Sequence, residues 1–187
     1  CLWHIRRIDI LSLHREHFRL RPAMVKRLLF LSSPMAFQNA VISIGGMIVQ
    51  SVVNGFGVIF IAGFTATNKL YGVLEIAATS YGYSMITYVG QNLGAKRIDR
   101  IRHGMRAAVI VAVLTSIVIA GVMLLFGRGI LGWFISGTPQ EVAQTLDVAY
   151  FYLAIMSAFL PVLYILHVAR SAIQGMGNTM LPMASSV

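Results

Sequence analysis

The stretch TYVGQNLGAKRIDRIRHG (Thr87–Gly104) ends one long apolar segment and leads into the next. It crosses two glycines, and five Lys or Arg residues and one Asp lie between Lys96 and Arg106. Short basic loops between apolar segments are typical of polytopic membrane proteins, because Lys and Arg concentrate in cytoplasmic loops. The stretch therefore predicts a cytoplasmic turn between two transmembrane helices, placed where it would touch anionic lipid headgroups.

The composition also indicates a membrane protein. Of the 187 residues, 57% are hydrophobic and 11% are charged, whereas soluble domains carry about a quarter charged residues. The net charge of +9 comes from clustered cations, so no nucleic-acid partner is expected. Backbone groups in hydrocarbon must be satisfied within the protein. We therefore expect an all-α integral membrane fold, a polytopic helical bundle in contact with the lipid bilayer.

Four segments are long and apolar enough to cross about 30 Å of hydrocarbon. They cover about residues 34–54, 58–92, 105–126 and 139–174, and the start of another span lies near residue 179. Residues 1–27 are expected to form a basic cytoplasmic linker or interfacial segment, and residues 28–187 the transmembrane helical lobe. Because the chain opens on Cys1 rather than Met, we interpret it as a piece of a longer protein.

Local signals predict where these spans begin and end. Ser33 before Pro34 suggests an N-cap, and Ala23–Leu31 is then either an interfacial lead-in or an extension of the same helix. The NGFG sequence (Asn54–Gly57) predicts a tight turn.

Two further signals bound the last complete span. Thr138, Pro139 and Glu141 predict a capping box at its start. The preceding sequence GRGILGWFISGTPQE (Gly127–Glu141) is interpreted as an interfacial loop, with Trp133 at headgroup depth.

The distribution of cations predicts the orientation. Residues 1–27 hold seven Lys or Arg, residues 94–106 hold five, and Arg170 ends the fourth span. All of these fall on one side if the spans alternate, and that side is cytoplasmic by the positive-inside rule. The prediction is a multi-pass protein of the cell (cytoplasmic) membrane, with its N-terminal end and the 94–106 loop in the cytoplasm.

Glu75 is the most informative polar residue, since it lies in the middle of the second predicted span. A carboxylate is costly at this depth, and such residues commonly carry protons, bind cations or pair with a charged substrate. The structural alternative is a neutral acid, or a salt bridge that joins helices.

Other polar residues on the first two spans are weaker candidates. Lys69 lies about 120° around the helix from Glu75 and would reach the outer surface. Tyr71, Thr79 and Gly82 share the face of Glu75. The candidates for substrate or ion binding are Glu75, Lys69, Gln38, Asn54 and Tyr71. For Gln38 and Asn54, hydrogen bonds between helices are favoured over substrate contact.

Several functional classes lack support in the sequence. Phosphate-binding loops, HExxH and nucleophile elbows do not occur, and one cysteine excludes both an internal disulfide and a cysteine-based metal site. His167 is interpreted as an ordinary interfacial residue, and Glu75 has no acid, base or metal partner evident in the sequence. We therefore expect no enzymatic activity, no catalytic residues, no metal site and no cofactor.

The segments PMAFQNAVISIGG, VNGFGVIFIAGFTATNK, YVGQNLGAKRIDRIRHG and SAIQGMGNTMLPM resemble the multidrug and toxic compound extrusion (MATE) transporters from about Arg21 onward. The matching positions are Pro34, Gln38, Asn54, Gly57, Lys69, Gly90–Ala95 and Gly175–Gly177. The resemblance is closest to the second, C-terminal lobe of the family.

This resemblance implies half of a two-lobed transporter of twelve helices, whose missing first lobe belongs to the same polypeptide. It implies efflux of cationic or amphipathic drugs and toxins by antiport with Na⁺ or H⁺ through alternating access. In this family a carboxylate on the first lobe is often tied to ion coupling.

The alternatives are a lipid-linked precursor flippase of related architecture, or an oligomeric membrane scaffold or channel if the chain is naturally this short. The flippase would need several intramembrane cations, and Lys69 is the one candidate.

Overall fold

The computed structural model describes residues 21–185. Its helices are α1 (Pro22–Val53), α2 (Val58–Gly94), α3 (Ile98–Gly132), α4 (Pro139–Gly175) and the short α5 (Met180–Ala184). A 3-10 turn, Asn54–Phe56, joins α1 to α2. No strand occurs within the described range, and the expected all-α fold is confirmed.

Within residues 21–185, three helical segments are long and apolar enough to cross a membrane: Pro22–Phe56, Ile98–Gly132 and Pro139–Gly175. Helix α2 has 37 residues and is as long as the others. Polar residues such as Asn68, Lys69 and Glu75 make α2 less apolar. It is therefore not among the three segments that qualify as membrane spans by length and composition. The chain is a multi-pass membrane protein.

Helix α4 lies at the centre of the bundle and packs against both α2 and α3. Helices α2 and α4 run parallel, since Gly63 lies against Thr145 near their starts and Gly175 lies against Ile86 near their ends. Helix α3 runs antiparallel to α4: the Tyr150 hydroxyl donates to the Leu124 carbonyl at 2.7 Å. Helix α1 has few contacts with α2 and also touches α5.

Small residues allow α2 and α4 to approach closely. A Cβ atom added at Gly175 would lie 2.8 Å from the Ile86 carbonyl oxygen and 3.0 Å from the Val89 Cβ. The two glycines of the GQNLG sequence, Gly90 and Gly94, do not make this close contact. Gly90 is only in ordinary contact with Gly175, and Gly94 has no atom nearby for a Cβ to meet, so the close contact falls on the partner helix instead.

Buried hydrogen bonds join the same two helices. The Thr67 hydroxyl donates to the Ala149 carbonyl at 2.9 Å, and the Tyr164 hydroxyl donates to the Leu74 carbonyl at 3.0 Å. Each hydroxyl donates to the second lone pair of a carbonyl in the facing helix, so these two hydroxyls are paired in the apolar interior. The buried Ser157 Oγ has no hydrogen-bond partner among the described residues.

The first helix differs from the sequence expectation at its start. Helix α1 begins at Pro22, with Arg21 at the N-cap position, and runs through Pro34. Residues 23–31 therefore extend the same helix, and Ser33 as its N-cap is wrong. The neighbouring Ser32 also lies within the helix, and its hydroxyl donates to the Leu28 carbonyl one turn earlier at 2.6 Å.

The third helix is longer than expected, and the loop before α4 is correspondingly shorter. Helix α3 continues to Gly132 because packing favours helix there: Gly127 lies against Leu153, and Arg128 Nη2 is 2.6 Å from Asp147 Oδ1. The capping box of α4 is confirmed, with the Thr138 amide donating to Glu141 Oε2 at 3.1 Å.

Replacing Gly175 by Ala should destabilise the full-length protein by about 1–3 kcal/mol, because the added methyl group meets a backbone carbonyl that cannot move aside. Gly94→Ala is a matched control: Gly94 and Gly175 are each the last residue of a 37-residue helix, and space is open at Gly94. Thermal unfolding in detergent measures both variants. Equal losses of stability would contradict the close contact at Gly175.

Candidate functional site

A cavity of about 300 Å³ lies between α1, α2 and α4. Its polar lining consists of Gln38, Asn39, Glu75, Thr79, Tyr83, His167, Arg170, Ser171 and Gln174. All three helices supply polar side chains to this lining, although each is otherwise mainly apolar. The cavity is therefore a polar site inside a membrane-embedded bundle, where unpaired polar groups are costly.

Two titratable side chains face each other across this cavity. Glu75 is the eighteenth residue of α2 and lies at its centre, and His167 lies near the end of α4. His167 Nε2 is 3.9 Å from Glu75 Oε1, and the side chains are 19% and 43% exposed respectively. The Glu75 carboxylate is thus open to the cavity, while the imidazole forms part of its wall.

The other ring nitrogen of His167 determines which tautomer faces Glu75. His167 Nδ1 lies 3.0 Å from the Leu163 carbonyl oxygen. A carbonyl oxygen only accepts hydrogen bonds, so Nδ1 carries the hydrogen. Neutral His167 therefore presents the lone pair of Nε2 to an ionised Glu75, and one added proton would convert two facing acceptors into a donor and an acceptor.

The sequence interpretation of these two residues needs correction. The sequence shows no partner for Glu75 and predicts an ordinary interfacial role for His167, whereas in the structure the two side chains face each other. The parallel packing of α2 and α4 brings the two together from distant parts of the chain. The charge and depth of Glu75 are evident in the sequence. His167 lies on a different helix, far away in the sequence, so the pair becomes evident only when the helices are packed together.

Small residues shape the wall beside this pair. A Cβ atom added at Gly82 would lie 2.7 Å from the Ser171 Oγ atom, so glycine is what allows α4 to lie against α2 here. Gly82 and Thr79 line the same cavity as Glu75, as their shared helix face suggested. Tyr71 also lies on that face, one turn before Glu75, but it packs against the hydrophobic core instead of lining the cavity.

Gln38 connects the cavity to the end of the described chain. Its side chain is 1% exposed, and Nε2 donates to the Pro182 carbonyl at 2.7 Å. This bond joins α1 to α5, which agrees with the preference for a contact between helices over a direct substrate contact.

The remaining candidates lie outside this cavity. Asn54 accepts a hydrogen bond from Gln50 Nε2 at 3.0 Å. Lys69 is exposed and lines a separate cavity of about 550 Å³, together with Thr65, Glu141 and Thr145. The structure therefore brings together Gln38 and Glu75 from the candidate set and places Lys69 and Asn54 elsewhere. Tyr71 lies one turn from Glu75 but does not line the cavity.

The MatE family model matches residues 34–187, which include every residue that lines the cavity. The chain belongs to the MatE family. This assignment confirms the resemblance carried by the glycine-rich and basic segments, and it places the polar cavity inside a MatE lobe.

A relative of this MatE chain is the probable multidrug resistance protein YoeA of Bacillus subtilis (strain 168). The two are 25% identical over 131 residues, which cover 68% of this chain and 27% of YoeA. The chain therefore matches only about a quarter of that relative's length.

Water should reach the MatE cavity at Thr79. In a full-length background without other reactive cysteines, Thr79→Cys should react with a membrane-impermeant methanethiosulfonate, because the side chain lines the polar cavity. Ala78→Cys is the control, since Ala78 is the preceding residue of α2 and is 0% exposed. Labelling is read by mass spectrometry. Equal labelling of both cysteines would show that the cavity is not selectively accessible.

Proposed function

We propose that this chain forms the second lobe of a secondary transporter that exports cationic or amphipathic drugs and toxins. The MatE assignment supports transport in general, and the relative YoeA is named as a probable multidrug resistance protein. The basic loop 94–106 and the N-terminal end lie in the cytoplasm, in a protein of the cell membrane. The proposed substrate is a small organic cation, and an antiported ion supplies the driving force.

The observation that carries this proposal is the Glu75 carboxylate, which is half-exposed in a polar cavity at the centre of a long helix. An organic cation and a coupling ion would both be attracted to this carboxylate. Since one negative charge neutralises one positive charge, the two would compete for it. Competition for a shared site couples export of one to import of the other, provided that the site opens to one side at a time.

The geometry around Glu75 favours a proton as the coupling ion. His167 Nε2 faces the carboxylate as an acceptor when neutral, and a proton between the two groups would draw them from 3.9 Å into a charge-assisted hydrogen bond. Sodium prefers oxygen ligands and would gain nothing from a facing nitrogen that turns cationic on protonation. The proposal is therefore proton antiport, with sodium antiport as the alternative that experiment distinguishes.

The charge of the cavity also separates this proposal from a lipid-linked precursor flippase. A pyrophosphate group requires several cations around it. Within the described range, the fixed cation that lines this cavity is Arg170, and Glu75 lies in the same lining. Lys69 lines a different cavity, so the two cations do not converge on one anion.

Glu75→Gln should lower efflux of a lipophilic fluorescent cation about tenfold or more in cells that express the full-length protein. Interactions with a charged group contribute about 1.5–3 kcal/mol, and about 1.4 kcal/mol corresponds to tenfold. His167→Gln should reduce efflux as well, because it removes the group that shares the proton. Dye efflux at equal membrane expression is the measurement.

Asp99→Asn is the matched control for Glu75→Gln, since it also neutralises one carboxylate, but on the exposed first turn of α3. It should leave efflux unchanged. If Glu75→Gln exported dye as fast as the parent, the coupling role of Glu75 would be wrong, and the proposed site would have to lie in the missing lobe.

The coupling ion can be identified in proteoliposomes that contain the purified full-length protein. We expect an imposed proton gradient to drive dye transport without sodium, and a sodium gradient at equal pH on both sides to drive none. His167→Gln should weaken the response to the proton gradient. Transport that requires sodium and ignores the proton gradient would overturn proton antiport while leaving cation export intact.

A further inference from the structure

A second cavity, of about 410 Å³, lies where the end of α2, the start of α3 and the end of α4 meet. Its lining is mainly apolar and includes Val89, Ile101, Met105, Ala169 and Ile173. This volume is within the range of about 300–1,000 Å³ that is typical of small-molecule sites. It is distinct from the Glu75 cavity, and the transport proposal does not use it.

Two arginines lie at the polar edge of this groove. Arg102 and Arg106 are four residues apart on α3, so they project from the same face of the helix, and both line the groove. Within residues 21–185, neither guanidinium group takes part in an ion pair. Both side chains are exposed, so their positive charge is available to a ligand.

The place of the groove along α3 indicates the kind of ligand. Helix α3 begins at Ile98 beside the basic loop and becomes almost wholly apolar beyond Arg106. The arginines therefore lie where a membrane-spanning helix leaves the headgroup region, and the apolar lining continues beside them. A ligand that fits has an anionic head and a hydrocarbon tail.

We propose that this groove binds an anionic phospholipid. Arg102 and Arg106 hold the phosphate of the headgroup, and one acyl chain lies along the apolar surface between α3 and α4. Arginine suits this role because its planar fork donates two hydrogen bonds to a phosphate. The bound lipid would anchor α3 to α4 at the end of the bundle where the basic residues cluster.

Stabilisation of the detergent-purified full-length protein by phosphatidylglycerol tests the headgroup contact. The double variant R102Q/R106Q should need about tenfold more of this lipid for half-maximal increase in Tm, because two cations that attract the headgroup are removed. R97Q/R100Q is the matched control, since it removes two charges from the same basic segment at positions that do not line the groove. It should retain the response of the parent protein. Equal losses in the two double variants would overturn the proposal in favour of diffuse surface attraction.

A second pair of variants tests the apolar part of the site. Ala169→Phe fills the groove without a change of charge and should also weaken the response to phosphatidylglycerol, whereas Val162→Phe adds the same ring to an exposed position outside the groove. Native mass spectrometry should show a bound phosphatidylglycerol in the parent and in Val162→Phe. An unchanged response in Ala169→Phe would contradict acyl-chain binding.

Two further probes distinguish the ligand. Phosphatidylcholine, with the same chains and no net charge, should raise the Tm much less than phosphatidylglycerol. Inorganic phosphate should have little effect, because it lacks the hydrocarbon tail. Stabilisation by phosphate equal to that by phosphatidylglycerol would overturn the lipid assignment. These readings do not depend on transport, so they remain valid if the proposed efflux activity is wrong.

Discussion

The close parallel contact between α2 and α4 is the constraint on which the rest of the bundle depends. Gly82 lets Ser171 approach, and Gly175 lies against the backbone of α2 near Ile86. His167 is one helical turn from Ser171, so this contact also sets the 3.9 Å separation of His167 Nε2 from Glu75 Oε1. In a bilayer the hydrophobic effect does not drive helices together, so close packing and hydrogen bonds must do so. The same small residues that join the helices thus position the polar pair.

Helix association and a polar cavity make opposite demands on the same interface. The buried hydroxyls of Thr67 and Tyr164 donate to carbonyls of the facing helix, whereas the buried Ser157 Oγ has no hydrogen-bond partner among the described residues. No such bond to Glu75 occurs among the described residues, and His167 Nε2 lies 3.9 Å from its carboxylate, which is too long for a hydrogen bond. Hydroxyl bonds therefore join the two helices beside the cavity, and the carboxylate within it is incompletely paired. An incompletely paired carboxylate suits the ion exchange that we propose for this site.

Features that depend on local chemistry could be predicted from the sequence. Apolar length indicated the helices, and Thr138 with Glu141 indicated the start of α4, because a capping box satisfies backbone groups within a few residues. Features that depend on packing could not. Beyond Gly127, α3 packs against Leu153 of another helix. The sequence around Glu75 likewise does not indicate that a histidine lies beside it. Depth and charge identified one half of the site, whereas the other half required the fold.

Helix α1 has fewer contacts with the other long helices than these have with one another, and this affects access to Glu75. It has few contacts with α2, and the buried bond from Gln38 to Pro182 links it to α5. Many of its apolar side chains are exposed, including Phe37 and Met47, so the bilayer or the rest of the polypeptide must cover them. Because α2 and α4 carry Glu75 and His167 between them, a displacement of α1 would open or close the cavity without separating that pair. Access to the cavity and the pairing of Glu75 with His167 therefore depend on different contacts.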